Sequence, residues 1–290
     1  MSANQSGAGF MILAMAAFAL EDSFFKAATE LTSVGTALIS FGLIGLLVFA
    51  SQSLRVGEPV WHPACLKRTM LIRSAFELMG RLFFGLALAH APLSSTSAIL
   101  QAAPIVVTLG AILVFGEAVG WRRWLAMALG FLGVLVVIRP GFESFQITSL
   151  YALLATIGFA GRDLATRASP PAMSTAQLGS LGFAVLSAAG LLLTALEGRV
   201  PTLPTGQSLL LTAGAALVGV LAYAALTRAM RSGDVGFVAP YRYTRLVFAL
   251  LIAFTVFGER PDPLTLLGAA LIVLAGLYSF ARARSAGSGR

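Results

Sequence analysis

The chain is a succession of long apolar runs broken by short polar ones. The clearest stretch runs from Ala87 to Gly141, ALAHAPLSSTSAILQAAPIVVTLGAILVFGEAVGWRRWLAMALGFLGVLVVIRPG. It holds two apolar segments of membrane-spanning length around the polar break GEAVGWRR. A weaker copy lies between Ala225 and Arg282. There ALTRAMRSGDVGFVAP leads into an apolar run, the break FGERPDP and then LTLLGAALIVLAGLYSF. Continuous rather than alternating apolar runs predict helices, not a transmembrane barrel. Ten spans follow, near residues 9–28, 34–54, 69–90, 95–116, 121–138, 147–167, 174–196, 207–230, 236–257 and 263–282. Leu31 to Leu54, Ala168 to Leu196 and Val200 to Thr227 carry no charge. Each of these is long enough to cross a hydrocarbon core of about 30 Å.

Composition agrees with an all-α integral membrane protein. Hydrophobic residues make up 58% of the 290, charged residues 11%, and mean hydropathy is +0.88. A soluble domain carries about 25% charged residues. The opening MSANQSGAG lacks a basic n-region, so the first apolar run reads as a retained helix. Loops are short, the longest near 55–68, and none has room for a soluble catalytic domain. The net charge of +8 belongs to loops facing the cytoplasm rather than to a nucleic-acid surface. Cys65 stands alone, and His62 and His90 share no metal-ligand spacing, so no metal and no cofactor are expected.

Lys and Arg also predict orientation. With the N-terminus inside, cytoplasmic segments hold Arg55, Lys67, Arg68, Arg122, Arg123, Arg167, Arg228, Arg231, Arg282, Arg284 and Arg290, against Arg139, Arg199 and Arg260 outside. That bias puts both ends of the chain in the cytoplasm. Five spans per half then turn residues 142–290 upside down relative to residues 1–141, an inverted repeat of the kind used by secondary transporters. Two traces support the repeat. VFGE occurs at Val114–Glu117 and again at Val256–Glu259, 142 residues on. Phe18, Asp22 and Lys26, four apart, match Phe159, Asp163 and Arg167 at an offset of 141. Both sets place an acid and a base one turn apart on a helix.

With PLSSTSAILQAAPIVVTLGAILVFGE, WRRWLAMALGFLGVLVVIRPG and their repeat in view, the chain resembles the EamA family of the drug/metabolite transporter superfamily over nearly its whole length. The resemblance implies ten helices, with the fifth and tenth peripheral and the others around a central cavity. It implies alternating access without ATP, and structural roles for Glu117 and Glu259. It is almost silent about substrate.

Ionisable residues at membrane depth are costly and so are candidates for function. The first span holds Glu21, Asp22 and Lys26, the third Arg73, Glu77 and Arg81, the sixth Arg162 and Asp163, and the ninth Arg242 and Arg245. Arg73, Glu77 and Arg81 form one stripe, and Glu77 can pair with either neighbour. Arg81, about 18 Å into its helix, is the deeper and is expected to contact substrate with Glu77 as its orienting partner. Aligning Ala87-Leu88 with Ala225-Leu226 sets Arg73, Glu77 and Arg81 opposite Leu211, Ala215 and Gly219, so the repeat unit does not need the stripe. A structural reading stands beside this: Arg73 snorkels to the nearby surface, and Arg162, Asp163 and Arg167 form an internal ion-pair set. Gln101, Tyr223, Tyr241 and Tyr243 complete the candidate lining, with Phe18 and Phe84. Pro104 and Pro240 permit kinks. Ala126-x-x-x-Gly130 permits close packing inside a monomer or across a homodimer.

Six buried bases against four acids suit an anionic or zwitterionic, amino-acid-like metabolite, because guanidinium binds carboxylate in pairs of bonds. The expected partners are that small molecule, the bilayer of the cytoplasmic membrane, and a proton or counter-substrate. The alternatives are a polytopic enzyme acting on lipid-linked substrates, for which no DxxD loop or G-x-S-x-G is present, and a receptor or scaffold without transport.

Overall fold

The computed structural model describes residues 3–116, 120–139, 146–167, 173–232 and 238–287, and among them every regular element is helical. The helices are α1 (Ala3–Thr29), α2 (Val34–Arg55), α3 (Arg68–His90), α4 (Leu93–Leu100), α5 (Ala103–Phe115), α6 (Trp121–Ile138), α7 (Ser149–Arg167), α8 (Thr175–Leu196), α9 (Gly206–Ser232), α10 (Thr244–Thr255) and α11 (Pro263–Gly287). Two 3-10 turns, Pro63–Leu66 and Ala239–Tyr243, accompany them. α4 and α5 together make the fourth span, and the second 3-10 turn with α10 makes the ninth. The result is an all-α membrane protein of ten spans in two five-helix repeats.

Local chemistry sets many helix ends. Ser33 caps α2 by accepting from the Thr36 amide at 3.2 Å. Ser174 and Gln177 form a reciprocal capping box on α8. The glycines of the two VFGE copies, Gly116 and Gly258, sit at φ +67° and +63° after α5 and α10. That left-handed backbone favours glycine; Gly116 caps α5 directly, whereas Val256 caps α10 and Gly258 turns the chain two residues later.

The fourth span was expected as one helix over 95–116 with a kink at Pro104. It is interrupted earlier, at Gln101–Ala102. Pro104 has no N–H and a fixed φ, so it belongs in the first turn of a new helix rather than inside an old one.

Packing pairs the two halves. α1 lies along α9 as α3 lies along α7, and α2 packs on α8 as α6 packs on α11. α10 leans on α1 as α5 leans on α7. Exchanging the first five spans for the last five maps these contacts onto themselves. Small residues make the seams tight. A Cβ at Gly158 would lie 2.5 Å from the backbone nitrogen of Gly80 on α3. One at Gly133 would lie 2.8 Å from the Gly268 carbonyl on α11. Gly130 packs on Ile105 and Ala275 within the chain. The outer surface is apolar, with leucines such as Leu113 and Leu210 at 76% and 73% exposure, as lipid contact requires. Among the described residues, five spans are long and apolar enough to cross a membrane, those of α1, α2, α4–α5, α8 and α9. Charged residues set α3 and α7 apart from these, and they carry the chemistry of the centre.

Candidate functional site

The buried charges meet where α1, α3, α7 and the ninth span converge. Arg245, in the first turn of α10, donates to Asp22 of α1 through Nη2 at 2.6 Å and Nε at 3.2 Å. Its guanidinium also faces the rings of Phe18 and Phe84, 5.2 and 5.7 Å from their centroids. On α3, Arg73 meets Glu77 one turn on at 2.8 Å and donates from Nε to Thr166 of α7 at 3.1 Å. Arg162 holds Asp163, its neighbour, at 2.8 and 3.0 Å and stands 3.7 Å from Glu77. Glu77, with its side chain only 3% exposed, is therefore shared by guanidinium groups from two helices. Two glycines make room for these acids. A Cβ at Gly182 of α8 would sit 3.2 Å from Glu77 Oε1, and one at Gly219 of α9 would sit 2.9 Å from Glu21 Oε2.

Glu21 and Arg81 are less closely matched. Arg81 Nη1 is 3.8 Å from Glu21 and its Nε is 4.0 Å from Glu77, both beyond good hydrogen-bond length. Glu21 Oε2 and Arg81 Nε are buried without a hydrogen-bond partner. Both residues line one cavity with Asp22, Phe25, Phe41 and Phe84, whose volume is only about 20 Å³. Sites for drug-sized ligands run from about 300 to 1,000 Å³, so the centre is drawn in around these side chains. The cavity walls come from α1, α2, α3 and α8, that is, from both halves.

The other candidates are spread more widely. Lys26 does not pair with Asp22 one turn below it. Its ammonium instead donates to the carbonyls of Leu88 and Ala91, at 3.0 and 2.9 Å, and lies 5.5 Å over the Phe257 ring. The last turn of α3 leaves such carbonyls unsatisfied, and the negative end of its dipole attracts the cation. Gln101, at the break in the fourth span, donates to the Arg242 carbonyl at 3.3 Å and so joins the two interrupted spans. Tyr223 stands edge-on to Phe49, with ring centroids 5.6 Å apart. Tyr241 packs against a buried apolar cluster drawn mainly from α1 and α9 that includes Met11 and Ala225. Tyr243 is buried against Gly276 of α11, away from the cavity. Arg167 (its side chain) and Glu117 lie outside the described residues.

Sequence reasoning missed Phe25 and Phe41 as cavity walls, and Gly182 as the space for Glu77. Gly219 had left a signal, since it is the repeat counterpart of Arg81. Glu259 has a plain structural role. Its carboxylate accepts from the amides of Leu93 and Ser94 at 2.7 and 3.0 Å and from the Ser94 hydroxyl at 2.8 Å, capping α4 from across the bundle.

A duplicated ten-span bundle with paired charges around a central cavity is the build of a membrane transporter. The chain belongs to the EamA-like transporter family, whose profile matches residues 5–139 and again 146–280. The riboflavin transporter of Vibrio cholerae is 29% identical over 280 residues, spanning 92% of this chain and 90% of the relative. The S-adenosylmethionine uptake transporter of Rickettsia felis is 27% identical over 281 residues, at 94% and 92% coverage. The pseudopaline exporter of Pseudomonas aeruginosa is 25% identical over 272 residues, at 93% and 94%. A crystal structure of another protein matches with a TM-score of 0.61 at 18% identity, over 94% of this chain and 98% of that one, and supports the fold alone. Family and relatives are transporters, not enzymes. The chain is accordingly a small-molecule transporter of a bacterial type, and the lipid-linked enzyme reading is set aside.

Proposed function

We propose that the protein moves a small organic metabolite bearing a carboxylate, anionic or zwitterionic and amino-acid-like, across the cytoplasmic membrane by alternating access. Both ends of the chain lie on the cytoplasmic side in this reading, from the bias of Lys and Arg among the loops. The observation that carries the substrate class is Arg81. It lines the cavity, its Nε is unmet, and its nearest acids stand at 3.8 and 4.0 Å. A guanidinium with a donor to spare in a cavity binds a carboxylate through charge-assisted bonds. The riboflavin, S-adenosylmethionine and pseudopaline relatives show that one scaffold serves different solutes in both uptake and export.

The test is thermal stabilisation of the purified protein by a panel of amino acids, carboxylates, nucleosides and vitamins, followed by flux into proteoliposomes. Arg81→Gln is expected to fold, to lose ligand stabilisation at least tenfold in apparent affinity, and to lose flux. Normal affinity and flux in that variant would refute the assignment. So would a panel in which permanent cations without an acidic group stabilise best.

A further inference from the structure

Four carboxyl groups, those of Glu21, Asp22, Glu77 and Asp163, belong to the buried charge cluster. Three of them have a guanidinium within 3 Å: Asp22 has Arg245 at 2.6 Å, Glu77 has Arg73 at 2.8 Å and Asp163 has Arg162 at 2.8 Å. Glu21 differs in its ion-pair distance, with Arg81 no nearer than 3.8 Å, and its Oε2, like that of Glu77, is buried with no hydrogen-bond partner.

The surroundings of Glu21 supply little else. α3 presents Arg81. On α1 itself the next residue is Asp22, already held by Arg245 of α10. α9 presents Gly219, which has no side chain to offer. α2 and α8 contribute Leu38, Phe41 and Leu186 to the cavity, all apolar. A buried carboxyl among apolar walls, with its nearest cation beyond hydrogen-bond length, is accommodated by carrying a proton. The unmet Oε2 is the atom that would hold it.

We propose that Glu21 is a proton-binding site and that the chain is a proton–solute symporter. This rests on the reading that Arg81 takes the solute carboxylate. With a proton on Oε2, Glu21 no longer competes for Arg81. Glu77 is then the remaining acid near Arg81, at 4.0 Å, and it is already engaged by Arg73 and Arg162. The guanidinium is left for the solute. When the proton leaves for water at the open face, the Glu21 carboxylate closes on Arg81 and displaces the solute. One proton and one carboxylate are thus bound together and released together, and both move in the same direction.

The proton site is tested on the purified protein without any solute, by acid-minus-alkaline infrared difference spectroscopy. The expected result is a C=O stretch of a protonated carboxyl that shifts in D2O and is lost in Glu21→Gln. Glu21→Asp keeps a carboxyl and should move the band rather than remove it, which covers the case in which the Gln variant fails to fold. A wild-type spectrum without such a band overturns the proposal, and so does a band unchanged in both variants. The symport step is tested by thermal titration with an equimolar mixture of the twenty standard L-amino acids. Apparent affinity should weaken by about tenfold per pH unit once the proton is lost, and Glu21→Gln should abolish that dependence. A pH-independent affinity in the wild type overturns symport. If the mixture stabilises nothing at any pH, the carboxylate reading fails together with symport. The infrared band alone then decides the proton site.

Discussion

Asp22 and Arg245 tie α1 to α10, and breaking that tie has a calculable cost. The side chains are 2% and 17% exposed, so water does little to replace a lost partner. Removing one member of a buried ion pair costs about 3–5 kcal/mol, because the other charge is left uncompensated. Asp22→Asn therefore leaves the Arg245 guanidinium with a neutral amide oxygen in place of the carboxylate, beside the rings of Phe18 and Phe84. Those rings return about 0.5–2 kcal/mol at most, and they do so in the wild type as well. At about 2–4 °C per kcal/mol for a chain near this size, the loss corresponds to a fall of roughly 6–20 °C in melting temperature. The double variant Asp22→Asn with Arg245→Gln removes both charges and should recover much of the loss. The coupling energy expected from the cycle is about 2–3 kcal/mol. The assay is thermal unfolding in one detergent for wild type, both single variants and the double. If Asp22→Asn melts within about a degree of wild type, or if the two single losses simply add, the pair is not the tie described here.

Two further outcomes are expected. Glu259→Ala removes three charge-assisted hydrogen bonds from the start of α4; Glu259 is only partly buried, so water takes over some of them and the loss should be about 1–2 kcal/mol, with Glu259→Gln losing less. An unchanged melting temperature for the Ala variant would remove that role. Asp262, half exposed before α11, is slightly desolvated, which raises its pKa, but the Thr265 amide and the Arg139 guanidinium more than reverse this and hold the carboxyl below its usual range. Its contribution is therefore present above the unfolded value near 3.9 and is lost as pH falls through the lower folded value. Asp262→Ala should melt below wild type at neutral pH by the equivalent of about 0.5–1 kcal/mol, and the two curves should converge in acid. A gap that widens in acid would show the sign to be wrong.

How far the sequence could be read depended on whether the determinant was local. The ten spans were legible because apolar length is a property of a single stretch. Arg73 and Glu77 were legible as a pair because they lie one turn apart on one helix. Asp22 and Arg245 were not, because nothing near either residue says which of the ten helices will lie beside it. Lys26 was misleading for a related reason. Its one-turn spacing from Asp22 suggested a pair, but the open carbonyls at the end of α3 compete for the ammonium, and only the packing reveals them. The break at Gln101–Ala102 sat two residues before the proline that signalled it. Gly219 was half legible: the repeat alignment set it opposite Arg81, but not against Glu21.

The pairing of helices across the two halves bears on how the chain is made. Asp22 is translated 223 residues before Arg245. At about 5–20 residues per second, the first half waits roughly 10–45 s in the membrane before that counter-charge exists. Glu77 has Arg73 from the start, since both lie on one helix, but Arg162 arrives only with α7. α1, α2 and α3 likewise wait for α9, α8 and α7, the partners that cover them. Insertion of the early spans and their assembly are thus separate events in time. Arrival of the second half neutralises Asp22 and, in the same step, covers the helices that carried it.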